Sequence, residues 1–378
     1  MSTQTVRNRR AAIAGIGSTP MLRKADDDLG TVAATAALAA IEDAGLTVDD
    51  IDGYIGCPTA PNASARHEDG VDEVSAGFMV QKLGLRPRWA QDVRGLPPTA
   101  VERGVQALLA GECTTLLFVR AMYNPTGVRY AQMSRPLISG PDQFTLPYGL
   151  GGAGGRHSLW LQRYMYDHGA TREDLFQVVQ NARQNAQLNP IAHWRGRPLT
   201  LDDYLQARWI YKPMCLFDCD IPVTAAGALV LTTADRARDL QQPPAFVSAI
   251  VNSQQAAGSD IFQALGVERT EVQVAQIYDG YSHFVWFWLE ALGICGPGEA
   301  HEFTRDGRIN LGGAFPLNTF GGNLGEGRLH GFGHVREGAL QVMGRAGQRQ
   351  AGGVRNCLVA VGVGYPGSTT PVLLLSAE

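Results

Sequence analysis

Apolar positions along this chain follow two spacings. Short, nearly continuous apolar runs at Ala11 to Ile16, Thr114 to Val119, Phe246 to Val251 and Cys357 to Val361 have the length of strands buried on both faces. Between them the spacing becomes helical. Val32, Ala36, Ala39, Ala40 and Ala44 put one apolar face on a helix predicted from about Leu29 to Ala44, which Gly45 ends. Ala100 to Gly111 carries a similar stripe before the Thr114 run, and Phe332 to Gly347 does so before the Cys357 run. Strands alternating with helices in this way predict an α/β architecture.

The pattern runs twice. In the first half a strand and a helix lead to Asp52-Gly53-Tyr54, and in the second the Phe246 strand and a helical stretch ending near Gly266 lead to Asp279-Gly280-Tyr281. Each half then closes with its helix and apolar strand. The economical reading is a duplicated α/β fold, with an N-terminal half at 1–240 and a C-terminal half at 241–378. The stretch at about 123–213 breaks the pattern, being richer in Gly, Pro, Arg, Tyr and Trp, and is expected to form an inserted cap. Its Gly149-Leu-Gly-Gly-Ala-Gly-Gly-Arg156 resembles a phosphate loop superficially, without the Lys-Ser/Thr ending or the preceding apolar strand.

Composition narrows the function classes. The chain has 378 residues, 45% hydrophobic and 18% charged, enough for two domain-sized cores. A formal charge of −4 gives no basic footprint for nucleic acid. No stretch approaches the roughly 18 consecutive apolar residues of a membrane span, and Gly15, Gly17 and Ser18 interrupt the N-terminal apolar run too early for a signal peptide, so the cytoplasm is expected. Six scattered cysteines read as reduced thiols. Cys215 and Cys219 lack a second ligand pair, so no metal is expected there.

Several motifs in order point to one family. Ala14-Gly-Ile-Gly is followed by Asp43-Ala-Gly-Leu46, by Asn185-Ala186 with Asn189-Pro190, by Asp218-Cys-Asp-Ile-Pro-Val-Thr-Ala-Ala-Gly-Ala-Leu-Val-Leu231, by Tyr278-Asp279 and by Asn318-x-x-Gly321-Gly322. In this order and spacing the chain resembles the thiolase superfamily over nearly its whole length, in the branch of sterol-carrier-protein-type thiolases and lipid-transfer-protein aldolases. The resemblance implies a five-layer α-β-α-β-α fold, a homodimer, and a coenzyme A thioester entering past the cap to a site where the halves meet.

The thiolase chemistry is missing. Where the resemblance places a nucleophilic cysteine, at the start of the helix near Leu96, the chain reads Asp92-Val-Arg-Gly-Leu-Pro-Pro-Thr99. The two histidine stations hold Tyr278 and Arg328, and the last cysteine turn reads Val361-Gly-Val-Gly-Tyr365-Pro-Gly. The aldolase branch, as the resemblance implies, has a tyrosine at the station of Tyr278, a second at that of Arg328 and a histidine at that of His330. Those enzymes cleave β-hydroxyacyl-CoA thioesters from steroid side chains and work with an OB-fold partner. The chain keeps the first tyrosine and the histidine and departs at Arg328.

Retro-aldol cleavage needs a base for the β-hydroxyl, stabilisation of a thioester enolate and an acid for its α-carbon, but no nucleophile. Tyr278 is the expected base, provided that a cation such as Arg328 favours its phenolate. His330 or Tyr365 is the expected proton donor, and Asn318, Gly321, Gly322 and Tyr281 are expected to bind substrate. Coenzyme A enters as part of the substrate, with no separate cofactor. Structural roles compete for each residue: Tyr278 and Tyr365 as packing groups, Arg328 as an ion-pair partner of Glu326 or Asp279. His330 and His334, spaced His-x3-His, would share one face of a helix. Two other functions stay open, an acyltransferase using Cys57 or Cys219 as an unorthodox nucleophile, and a non-catalytic subunit that binds acyl-CoA or scaffolds a partner.

Overall fold

The computed structural model describes residues 6–7, 10–58, 68–124, 138, 140–150, 152–252, 261–364 and 371–378. The strands are β1 (Val6–Arg7), β2 (Ala11–Ser18), β3 (Gly53–Gly56), β4 (Trp89–Asp92), β5 (Thr115–Met122), β6 (Trp209–Tyr211), β7 (Met214–Cys215), β8 (Ala225–Thr233), β9 (Ala245–Asn252), β10 (Val274–Ile277), β11 (Asn356–Ala360) and β12 (Pro371–Ser376). Ten of them form one mixed sheet in the order β10-β11-β12-β9-β2-β8-β5-β3-β4, with β1 paired to β9. β6 and β7 form a separate ribbon.

The predicted repetition appears as strand order. β2 pairs antiparallel with β8, β8 antiparallel with β5, and β5 parallel with β3. β9 pairs antiparallel with β12, β12 antiparallel with β11, and β11 parallel with β10. The two series join where Ala12 and Ile13 of β2 pair with Phe246 and Ala245 of β9.

Two predicted helices form close to their expected limits, α1 (Leu29–Asp43) and α3 (Pro97–Leu109), with a further helix, α2 (Ala76–Leu83), between them. The stripe at Phe332 gives the helix Phe332–Val342. Ala100, Val101 and Val105 of α3 meet Phe332, Val335 and Ala339 in one core that also takes Leu116, Leu229, Val359 and Leu373 from the strands. α1 covers the outer face of the β2, β8 and β5 series. A second outer core packs Val178, Val179, Trp286 and Leu289 on Val251, Ala275 and Ile277. Helices therefore lie outside each of the two strand series and between them, in keeping with the α-β-α-β-α expectation. The Ala-Gly-Ile-Gly motif of β2 serves this packing, because a Cβ on Gly17 would stand 2.0 Å from the carbonyl oxygen of Ala36 in α1.

The cap stretch is largely helical where it is described, with α4 (Gly152–His168) and α5 (Arg172–Gln187) as its main elements. Thr171 starts α5 with a capping box to Asp174. The phosphate-loop look-alike is the start of α4, where a Cβ on Gly154 would approach the Tyr211 ring to 2.8 Å. Those glycines let the helix sit close to its neighbours. Among the described residues, no helix is long and apolar enough to cross a membrane.

Candidate active site

The site lies beyond the carboxyl ends of the parallel strands, where α/β sheets commonly bind ligands. Tyr278 follows β10, Arg120 lies near the end of β5, Cys57 follows β3, and Arg328 and His330 precede the helix Phe332–Val342. Tyr278 is 6% exposed, and its backbone N–H donates to Ala360 O at 2.8 Å. Its ring lies 5.7 Å from that of His334 and 6.1 Å from that of His330.

Electrostatics revise the role expected of this tyrosine. Burial, Asp220 and Asp279 push the Tyr278 hydroxyl well above the usual phenol range, and the cation that opposes them is Arg120. Tyr278 therefore rests as a protonated phenol. Arg328 does not take the partners expected of it, because both are engaged elsewhere. Glu326 pairs with Arg336 and accepts from Asn189 Nδ2 at 2.6 Å, and Asp279 accepts from His334 Nε2 at 3.1 Å. Arg328 instead faces Asp220 at 3.8 Å, and its backbone N–H donates to Ile221 O at 2.8 Å. Burial and Arg120 lower the Arg328 pKa to about 9.

Asp220 is the acid that the sequence reading left without a role. Burial, with Asp279 nearby, pushes its carboxyl well above the ordinary range. Burial outweighs the pull of Arg328, which sits at the far limit of ion pairing. Asp218, two residues earlier, is spent on structure. It accepts from the Tyr204 hydroxyl and the Ser282 hydroxyl at 2.8 Å each and from Cys215 N at 2.8 Å.

His330 and His334 do not share a helical face. His330 stands outside the helix with φ +56, a left-handed conformation uncommon for a histidine, and Gly331 follows with φ +100. His334 is fully buried, and its Nε2 donates to two acceptors, Asp279 Oδ1 and Ile277 O. The unforeseen member of the site is Arg120, whose side chain is fully buried within an apolar strand. A lone charge in such a run was the signal available in the sequence, since arginine is almost never fully buried unless paired.

The expected substrate contacts are redistributed. Asn318 is a tether, its Oδ1 accepting from Ile277 N and its Nδ2 donating to Ile277 O, each at 2.7 Å. Gly322 provides room, since a Cβ there would lie 1.9 Å from Asp279 Oδ2. The backbone N–H groups of Asn323 and Leu324 donate to the Asp279 carboxylate, and Gly321 N donates to Asn318 O. These contacts make the Asn318 turn a support under Tyr278. Tyr281 reaches the cap, where a Cβ on Gly154 would come 3.1 Å from its hydroxyl. Tyr365 lies outside the described residues. The turn before it is held by Trp288, whose indole N–H donates to Gly362 O at 3.0 Å.

The two alternative nucleophiles differ in setting. Burial, Asp218 and Asp220 push the Cys219 thiol well above its usual range. Cys57 donates to Gly95 O at 3.2 Å and is buried. Among the described residues, no group of three His, Cys, Asp or Glu comes together to hold a metal ion.

Comparison with known proteins gives this geometry its family. Residues 235–377 match the family model described as "Thiolase C-terminal domain-like". The 17-hydroxy-3-oxo-4-pregnene-20-carboxyl-CoA lyase of Mycobacterium tuberculosis is 31% identical over 388 residues, covering 95% of this chain and 98% of that protein. The steroid side-chain-cleaving aldolase of Thermomonospora curvata is 33% identical over 398 residues, covering 97% and 98%. This chain belongs to the steroid side-chain aldolase branch of the thiolase superfamily. A solved structure described as "Ltp2-ChsH2(DUF35) aldolase" aligns with this aldolase-branch chain at a TM-score of 0.85 and 30% identity, over 98% of each. An acetyl-CoA acetyltransferase from Syntrophomonas wolfei shares the fold, with a TM-score of 0.68 at 16% identity.

Proposed function

We propose that the chain cleaves the Cα–Cβ bond of a bulky, steroid-like β-hydroxyacyl-CoA by a retro-aldol reaction, releasing a ketone and a shorter acyl-CoA. The observation that carries this reading is the exchange at the thiolase site. The nucleophile station before α3 holds no Cys, Ser or Lys, while Tyr278 and Arg328 occupy the two histidine stations with His330 and Asp220 close by. The chain is a carbon–carbon lyase, and its site suits proton transfer better than covalent catalysis.

In this reading Asp220, in its ionised form, accepts the proton of the β-hydroxyl. The O–H electrons close the ketone, and the Cα–Cβ electrons pass to the thioester as an enolate. Tyr278, a phenol at rest, delivers a proton to the α-carbon. Arg328 and His330 face the thioester oxygen, where charge develops. Tyr365 remains a second candidate donor from the C-terminal turn. Coenzyme A arrives as part of the substrate and no further cofactor is required.

A homodimer in the cytoplasm, working with a small OB-fold protein that helps hold the acyl-CoA, completes the reading. The name of the "Ltp2-ChsH2(DUF35) aldolase" couples two components, which supports a partner. The decisive experiment is turnover on a panel of β-hydroxyacyl-CoA thioesters, with and without an OB-fold partner, following ketone and short acyl-CoA release. Release that disappears in Tyr278→Phe supports the reading. No release under any pairing, with acyl-CoA still bound, would replace it with a non-catalytic binding subunit.

A further inference from the structure

Arg120 is a buried cation whose hydrogen-bond partners are neutral groups. Its Nη1 donates to the Cys57 carbonyl and lies 3.3 Å from Cys57 Sγ, while Nη2 lies 3.6 Å from Met122 Sδ and 3.0 Å from His330 Nδ1. Its Nε has no hydrogen-bond partner, and among the described residues no carboxylate lies within ion-pair distance. Such a charge is costly to bury, so its few contacts matter.

The contact with His330 has one chemical reading. A guanidinium offers donors alone. His330 Nδ1 must then be the acceptor, with its lone pair toward Arg120. A neutral imidazole accepting at Nδ1 carries its proton on Nε2, at the opposite edge of the ring. Among the described residues nothing hydrogen-bonds to that Nε2. The other groups near the ring are Arg328 from its own loop and Tyr278 after β10, whose ring lies 6.1 Å away. Asp220 is drawn toward Arg328. Burial and the two arginines push the His330 pKa well below its usual range.

We propose that Arg120 is a positioning residue that locks His330 as its Nε2–H tautomer, so that the imidazole acts as a neutral hydrogen-bond donor toward the substrate oxygen and not as a base. The substrate half of this statement rests on the retro-aldol reading, and the tautomer half does not. His330 thereby resembles a fixed oxyanion donor, prepared before substrate arrives.

The test uses the full chain labelled with 15N histidine, with the His330 signals assigned by their loss in His330→Asn. The expected result is an Nε2–H imidazole that does not titrate between about pH 5.5 and 8. In Arg120→Met the same ring should show mixed tautomers. Arg120→Met should also lower kcat about tenfold with little change in KM, as expected for a weakened transition-state donor. Arg120→Lys, which keeps a donor, should recover part of the loss. A wild-type His330 that is Nδ1–H or charged at pH 7 overturns the proposal even if neither Arg120 variant folds, and so does an unchanged tautomer in Arg120→Met. A locked Nε2–H ring in a chain without lyase turnover would sink the proposed reaction and leave the Arg120 assignment standing.

Discussion

Arg328 holds its guanidinium 3.8 Å from the Asp220 carboxylate, joining the loop after Asp218 to the loop before the helix Phe332–Val342. The pair places a titratable acid, raised above its ordinary pKa, beside the phenol of Tyr278. If Asp220 accepts the substrate proton, activity requires its ionised form, which is lost as pH falls through its folded pKa. The acid limb of kcat/KM should therefore lie well above the ordinary aspartate value of about 3.9. Asp220→Asn should remove that limb and lower kcat by about 10²- to 10⁴-fold. Arg328→Met should move the limb to higher pH, because a nearby cation is gone. A limb that keeps its position in Asp220→Asn would assign it to another group.

The thiols predict a negative result in covalent chemistry. Cys219 is a protonated thiol beside Asp218 and Asp220, so intact mass spectrometry after incubation with acyl-CoA should show no acyl adduct on the chain. Cys219→Ala should keep turnover within about threefold of wild type, as expected for a residue that stabilises no transition state. A trapped acyl-enzyme would return the acyltransferase reading to first place.

Asn318 separates a tether from a ligand. Asn318→Ala removes two hydrogen bonds to Ile277 and leaves an alanine at φ +48. It should cost about 1–3 kcal/mol in denaturant unfolding and lower kcat by loosening the strand end that precedes Tyr278. Asn318→Gly, free of the left-handed penalty, should be less destabilised. KM for the thioester should stay within about twofold in both, as for lost support and not lost binding. A KM rising in parallel with the loss of kcat would restore Asn318 as a substrate group.

The Glu326–Arg336 pair predicts a stability effect of the opposite kind. Both side chains are almost wholly inaccessible, at 0% and 3%. Arg336→Met strands a buried carboxylate and should cost about 3–5 kcal/mol. Adding Glu326→Gln should recover a large part of it, measured by chemical denaturation of the single and double variants. Full additivity of the two substitutions would mean that the pair is not coupled.

Much of the scaffold was legible because it depends on local periodicity. The α1 stripe and the apolar runs of β5 and β11 needed no long-range information, and the repeated strand order follows from the repeated pattern. At the site, the stations of Tyr278, Arg328 and His330 stand out in the sequence against the thiolase motifs. Partner choice was not readable. Arg328 was set against Glu326 and Asp279, its neighbours in sequence or motif, but those acids are claimed by Arg336 and His334 from the helix packed beside them. Asp218 and Asp220 share one motif, yet one faces Tyr204 and Ser282 and the other faces Arg328, a division that no spacing reveals. Arg120 was hidden for the opposite reason, since an apolar run of strand length invites a purely structural reading.

The contact between Arg120 and His330 spans 210 residues of chain. During synthesis β5 emerges with its guanidinium long before the ring that will receive it, and the shared core between α3 and the helix Phe332–Val342 is likewise half built. Proteins usually mature on the ribosome one domain at a time. Here the earlier portion carries an unfinished charge and an uncovered apolar face until nearly the last strand is made, so the nascent chain should depend on chaperone shelter over that interval and acquire its chemistry in a single late step.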